Sequence, residues 1–247
     1  MKNTLIALAV VAGLSACGGG SGGGPAGNAA APVQQEASIP LRAAYRSAIE
    51  TPRSGNLVVS GTAVESGSPA TASGSGSYRE ASAPSTFEGR AAVRQEVNAS
   101  VTVQTAAEGR ASPAQTVTSA GVVYLDAATA RLLGSTGENS HCVVDGQAPD
   151  LPETVPVATD ASYRPWFSKS CWANSGKAGT PATVSGSYKV EREGATTVLF
   201  RVRETSSASD HVTTTYRVTT TGAVTKVSEA LEAASGSDHL DLAIRYQ

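Results

Sequence analysis

From Asn56 almost to its end, the chain alternates apolar and polar residues. In the clearest stretch Ala91, Val93, Val97, Ala99, Val101 and Val103 hold odd positions, while Arg94, Glu96, Asn98, Ser100, Thr102 and Gln104 hold even ones. A period of two puts these sets on opposite faces of a β-strand, one buried and one wet. Comparable runs, rich in β-branched residues, cover Leu57 to Val64, Ala70 to Tyr78, Val117 to Leu125, Val184 to Val190, Val198 to Val202, Val212 to Val218, Val224 to Leu231 and Leu240 to Tyr246. They predict about nine or ten strands. Turn chemistry such as Glu193-Gly194, Thr221-Gly222 and Ser235-Gly236-Ser237-Asp238 separates many neighbours, so consecutive antiparallel hairpins, a meander, are the natural topology.

One segment has a helical period instead. Leu41, Ala44, Tyr45, Ala48 and Ile49 fall at i, i+3, i+4, i+7 and i+8 between Pro40 and Thr51-Pro52, which predicts a short amphipathic helix. Arg42, Arg46 and Glu50 give it no strongly basic face, so its apolar stripe is expected to pack on the domain and not on a membrane. The strand residues are small, mostly Ala, Ser, Thr, Gly and Val, and the whole chain has only three Phe. Such a sheet is expected either to curve around a helix in its mouth or to lean on its hydrogen bonds and a disulfide. The fold class that follows is all-β: an antiparallel meander forming a curved sheet, half-barrel or barrel, with one short N-terminal helix, in a single domain over residues 39–247. Asp145 to Pro181, rich in Pro, Asp, Ser and Gly, interrupts the alternation and is read as a long excursion.

Ahead of the domain, residues 17–38 are almost all Gly, Ala, Ser, Pro, Asn and Gln after the initial cysteine, a composition unable to bury enough apolar surface to order itself. A flexible tether of about 20 residues reaches roughly 25 Å. Residues 1–16 have a charged start at Lys2, an apolar run from Leu5 to Leu14 and a small-residue end at Ser15-Ala16, the layout of a signal peptide. The run is shorter than the roughly 20 residues a membrane-spanning helix needs. Leu14-Ser15-Ala16-Cys17 resembles the lipobox of bacterial lipoproteins, which implies cleavage before Cys17 and acylation of its thiol and freed amine. Each buried CH₂ contributes about 0.8 kcal/mol, so two or three acyl chains make such a tether effectively permanent. By resemblance to the sorting rule of enteric bacteria, Gly18 in place of Asp directs the protein to the outer membrane. The body, one helix followed by a meander, is similar to half-barrel lipoprotein carriers and to other β-rich lipoproteins of bacterial envelopes. That resemblance implies a non-catalytic protein on the periplasmic or surface face, binding an apolar or amphipathic ligand or an envelope protein.

Charge and cysteine count narrow the classes further. Cleavage removes Lys2 and no acid, leaving 18 basic against 21 acidic side chains, and no basic cluster suited to nucleic acid is present. With Cys17 lipidated, Cys142 and Cys171 remain, and an even remainder in an exported chain reads as one disulfide. A thiolate activated by His141 is geometrically poor, because adjacent strand residues face opposite ways.

Catalytic signals are weak throughout. Gly19 to Gly23 matches a nucleophile-elbow spacing but lies in the tether, without the flanking strand and helix. His141, His211 and His239 lack the i, i+4 spacing of a zinc helix, and His211 and His239, each preceded by an Asp, fall at expected turn edges. Among Asp150, Glu153, Asp160, Glu191 and Glu204 no spacing singles out a catalytic pair. The expectation is therefore no enzyme, no metal and no cofactor. Few aromatics and small apolar faces also speak against a membrane-spanning barrel with aromatic girdles. The densest chemistry is the run from Tyr163 to Trp172, with both tryptophans of the chain. Tyr163, Arg164, Trp166, Phe167 and Trp172 are the candidate ligand- or partner-contacting residues, the alternative being a local core around the disulfide.

Overall fold

The computed structural model describes residues 37–65, 68–107, 110–129, 131–138, 140–157, 162–173, 176–207, 210–235 and 237–247. The expected signal peptide, Cys17 and all but the end of the tether lie outside the described residues. The N-terminal part contains β1 (Ser38–Ile39), α1 (Leu41–Glu50), β2 (Arg53–Glu65), β3 (Ser68–Phe87), β4 (Arg90–Ala107), β5 (Arg110–Ala111) and β6 (Gln115–Asp126). Next come β7 (Leu132–Gly137), β8 (Ser140–Val144), β9 (Val155–Pro156), β10 (Arg164–Trp172) and β11 (Ala182–Arg192). The chain ends with β12 (Thr197–Thr205), β13 (His211–Thr219), β14 (Val224–Ser235) and β15 (Asp238–Tyr246).

Apart from β5, a two-residue strand against the end of β4, and the small β1–β9 pair, every strand pairs antiparallel with the next one along the chain. The last strand β15 returns to the first, β2, from His239↔Val64 to Tyr246↔Leu57. The meander is thus a closed barrel of 12 strands. Nine of them match the alternating runs; β7, β8 and β10 are additional to the expected set. Two of these are short, and β10 contains a register shift between Pro165 and Phe167 that breaks the period of two. The excursion expected over 145–181 is corrected accordingly: its middle, Arg164–Trp172, is a barrel strand paired on both sides.

The alternation is used as expected over most of the barrel, apolar face inward; at the start of the β4 run it is not, since Ala91 is exposed and Ala92 is buried beside Phe87 instead. Leu57, Val59, Val97, Val101, Val123, Leu125, Val198, Phe200, Val202, Leu242 and Ile244 are all buried in one core. Outward positions carry mostly Ser, Thr, Asn and charged residues, and Val58 is the one exposed large apolar side chain among the described residues. This is the reverse of a barrel whose outer band faces lipid. On β3, Gly74 and Gly76 mark a close approach of two strands: an added Cβ would collide with the backbone of Thr102 and Ser100 on β4.

A barrel of about eight strands is filled by its own side chains, and a wider one encloses space that something else must occupy. Here α1 occupies one mouth. Its Leu41, Ala44, Tyr45, Ala48 and Ile49 are buried, while Ala43, Ser47 and Glu50 face solvent. The Tyr45 ring lies 5.1 Å from Phe200, 5.7 Å from Trp166 and 5.9 Å from Tyr216, bridging three strands. At the helix end the Ser82 hydroxyl donates to the Ile49 carbonyl at 2.5 Å, satisfying one of the acceptors a helix C-terminus leaves open. The segment between β8 and β10 crosses the same mouth. Its Ala148, Leu151, Val155 and Val157 join the core, the Leu151 carbonyl accepts from Arg42 Nε at 2.8 Å, and the Pro149 carbonyl accepts from Trp166 Nε1 at 3.0 Å.

Cys142 and Cys171 form the expected disulfide and are direct cross-strand partners on β8 and β10. Their ladder has only four register pairs, Lys169↔Val144 to Trp172↔His141, and its two strands are joined by the long segment across the mouth instead of a tight turn. On the outside, the β3–β4 turn at Glu88 and Gly89, both with positive φ, lays Phe87 against Tyr124 (4.4 Å) and His141 (5.4 Å) in a second, small core.

Two stability measurements follow. Tyr45→Ala removes the ring that joins helix to barrel and is expected to cost about 3–5 kcal/mol in urea unfolding; a loss near zero would mean α1 does not support the barrel. Replacing both Cys142 and Cys171 by Ala is expected to cost about 3–4 kcal/mol, with hydrogen exchange rising first in β8 and β10; uniform exchange around the barrel would contradict that placement.

Candidate functional site

The most unusual chemistry lies inside the barrel, beyond the C-terminal end of α1. Lys226 on β14 points inward with a side chain 1% exposed, its Nζ 3.0 Å from Glu80 Oε1 and 2.9 Å from Glu229 Oε1. The Tyr246 ring centroid lies 4.5 Å from the same nitrogen. Gln95 Nε2 donates to Glu80 Oε2 at 3.5 Å, and Arg53 Nη1 stands 3.9 Å from that oxygen. The register brings these groups together: Glu80 is level with Arg53 on β2, and Tyr216 on β13 with Lys226. A shift between Thr215 and Tyr216 then lets Thr214 face Glu229, so that Lys226 and Glu229 share the inner face at odd spacing.

Two carboxylates and two cations balance, as burial demands, since an uncompensated buried charge costs several kcal/mol. Burial works against the Lys226 charge, but Glu229, Tyr246 and Glu80 outweigh it, and its pKa stands well above the ordinary lysine value. Burial pushes the phenols of Tyr216 and Tyr246 far above the ordinary tyrosine range, and raises Tyr78 as well. A second buried pair, Lys169 Nζ to Glu204 Oε2 at 2.5 Å, links β10 to β12.

The barrel wall divides the residues expected to contact a ligand. Trp166 and Phe167 are buried together, because the register shift in β10 turns both inward. Trp166 packs on Tyr45, Tyr188 and Phe200, and the Phe167 ring covers Gly186, where a Cβ would collide with it. These two are core residues, as in the local-core alternative. Tyr163, Arg164 and Trp172 lie at the outer surface. Lys189 and Arg203 stand 5.1 and 5.2 Å from the Tyr163 ring, and Lys177 stands 5.8 Å from Trp172.

The histidines and acids are also accounted for singly. His141 pairs with Glu88 at 3.0 Å, which also binds Lys177, and His211 pairs with Glu232 at 3.0 Å; His239 is exposed on β15. Asp150 pairs with Arg131 and Glu191 with Lys189 and Arg201; Asp160 lies outside the described residues. Among the described residues no group of three or more His, Cys, Asp or Glu side chains is placed to hold a metal ion. A shallow outer groove of about 270 Å³ runs along β4, β6 and β7 between Glu96, Asn98, Thr136 and Glu138.

Sequence reasoning did not find the inner charge cluster. The available signal was parity: Glu80 shares the inward parity of Tyr78 and Gly76, and Gln95 that of Val97 and Ala99. Neither a protein-family model, nor a curated protein, nor a solved structure matches the chain. What fold and site define is therefore a class by geometry: a closed antiparallel barrel, plugged at one mouth, with a compensated charge network in its interior.

The raised pKa of Tyr216, Tyr246 and Lys226 ties stability to alkaline pH. Above about pH 10 unfolded tyrosine and lysine side chains lose protons, while the folded state, with the pKa of Tyr216, Tyr246 and Lys226 raised, keeps them. The folded state then binds more protons than the unfolded one, so stability is fully present below that pH and falls as pH rises. Urea midpoints are expected to decline above about pH 10 and to decline less in Tyr246→Phe; an equal decline in both proteins would contradict the assignment.

Proposed function

We propose that the protein is a lipid-anchored lipoprotein of the bacterial outer membrane that acts by binding, not by catalysis, with the barrel wall as a rigid recognition surface for an envelope protein. The anchor reading rests on Leu14-Ser15-Ala16-Cys17 and the Gly-rich tether. The observation that favours a protein partner over a ligand held in the barrel is that α1 and residues 148–157 already occupy one mouth. The first strand, β1, pairs with β9 in the segment across that mouth, so an anchor at Cys17 would attach on the plugged side of the barrel.

A second reading, an amphipathic ligand, draws on the opposite end. There the inward-facing Val103, Val117, Leu231 and Leu240 remain only partly buried. Purely structural or adhesive display is the alternative from a different class, and a hydrolase has less support, since the inner acids are all engaged by cations.

Metabolic labelling with a fatty acid tests the anchor: label is expected on the wild-type chain and none on Cys17→Ala, and label kept by the variant would overturn it. Photo-crosslinking from outward positions such as Ser100 and Thr213 in intact envelopes tests the partner. One recurrent protein adduct is expected; adducts only to lipid, or none, would reject the protein-partner reading.

A further inference from the structure

We propose that the barrel interior contains a built site for a small, neutral, hydrogen-bond-donating guest, one or two water molecules, held by Gln95, Tyr216 and Glu229 around the Lys226–Glu80 pair. Three side-chain atoms there are buried and have no hydrogen-bond partner in the protein: Gln95 Oε1, the Tyr216 hydroxyl and Glu229 Oε1. Their residues are 0%, 1% and 3% exposed. Glu229 Oε1 is close to Lys226 Nζ at 2.9 Å, but the two are not aligned as a hydrogen bond.

These atoms belong to one cluster. Tyr216 is the cross-strand partner of Lys226, Glu229 is paired with it in charge, and Gln95 is bonded to Glu80, which is bonded to Lys226. Buried polar groups in folded proteins are nearly always satisfied, by protein or by ordered water, and three exceptions around one ion pair indicate a shared partner. Their chemistry specifies it. Gln95 Oε1 and Glu229 Oε1 only accept, and the Tyr216 hydroxyl can donate. Water donates twice and accepts, and buried water typically makes about three hydrogen bonds.

Charge decides between water and a cation. Glu80 and Glu229 are already balanced by Lys226 and Arg53, so an additional alkali or ammonium ion would leave the interior with uncompensated positive charge. The site is independent of the anchor and of any partner outside the barrel.

Tyr216→Phe is the direct test, since it deletes one oxygen and leaves the ring packed on Tyr45 and Phe200. If the hydroxyl holds a guest, the folding equilibrium constant falls by about fivefold; if the hydroxyl is truly unpartnered, the variant is as stable or more stable and the proposal fails. Oxygen-17 water relaxation dispersion on the full chain supplies a readout that packing alone does not move. Long-lived internal water is expected in the wild type, reduced in Tyr216→Phe and in Gln95→Leu; an unchanged signal in a folded variant overturns the site. Thermal midpoints in sodium, ammonium and choline chloride at equal ionic strength are expected to agree, and stabilisation by sodium or ammonium alone would replace water with a cation.

Discussion

Filling the interior is the constraint on which the rest of this fold depends. A wall of 12 strands is too wide to be closed by its own side chains, and these side chains are small: Ala72, Ala99, Val97, Val101 and several glycines face inward where larger residues are common in other cores. Twelve strands of Val and Ala alone would enclose a void, and unfilled space forfeits the dispersion contacts that hold a core together. Tyr45 resolves this by sending one ring from α1 into the gap among Trp166, Phe200 and Tyr216. Residues 148–157 complete the filling from the other side of the mouth. Helix, segment and wall are consequently one core, which is why an amphipathic helix of ten residues, too short to be stable alone, is ordered here.

Closure adds a kinetic side to the same problem. The seam between β2 and β15 joins residues from opposite ends of the domain, such as Leu57 and Tyr246, so the barrel cannot close until nearly the whole meander exists. Non-local pairing of this kind slows folding. Within the barrel, every other strand pair except β8–β10 is made between strands joined by a short connection, and that one exception in mid-meander has the short ladder with the disulfide. A covalent link is thus found where a long connection gives the least help in bringing two strands together.

The parts of this fold legible in the sequence were those with unbroken periodicity. Alternation over Val97, Ala99 and Val101 reported the buried face of β4, although Ala91 at the start of that run is exposed, and the five apolar positions of the helix are the five that are buried. The disulfide followed from counting cysteines. Periodicity failed at β10, where one extra residue turns two adjacent aromatics inward; read without that shift, Trp166 and Phe167 look like a surface aromatic cluster. It also failed at β7, whose Leu132-Leu133-Gly134 opening includes a register shift against β6. The interior charges were hidden for a different reason. Glu80 and Lys226 are 146 residues apart and meet only through the ladders linking β3, β2, β15 and β14, so no local pattern connects them.

Those charges bear on how the register is selected. Because side chains alternate, a slip of one residue exchanges the two faces of a strand, and apolar residues on one face normally forbid it. In β3 apolar residues contribute little to that safeguard: Ser73-Gly74-Ser75-Gly76-Ser77 puts serine on one face and glycine on the other, and what opposes a slip there is the lack of room for a Cβ at Gly74 and Gly76. Slipped by one, β3 would also turn Arg79 or Ala81 inward in place of Glu80. Lys226 and Arg53 would then face each other across the interior with only Glu229 between them, and Gln95 would lose its acceptor. Removing one partner from a buried charge cluster is far more costly than the cluster is stabilising. The network therefore adds, through the penalty for its disruption, to the discrimination that the glycine positions of the repeat make. It does so on the strand that also approaches β4 most closely at Gly74 and Gly76, so close packing and register selection fall on the same length of chain.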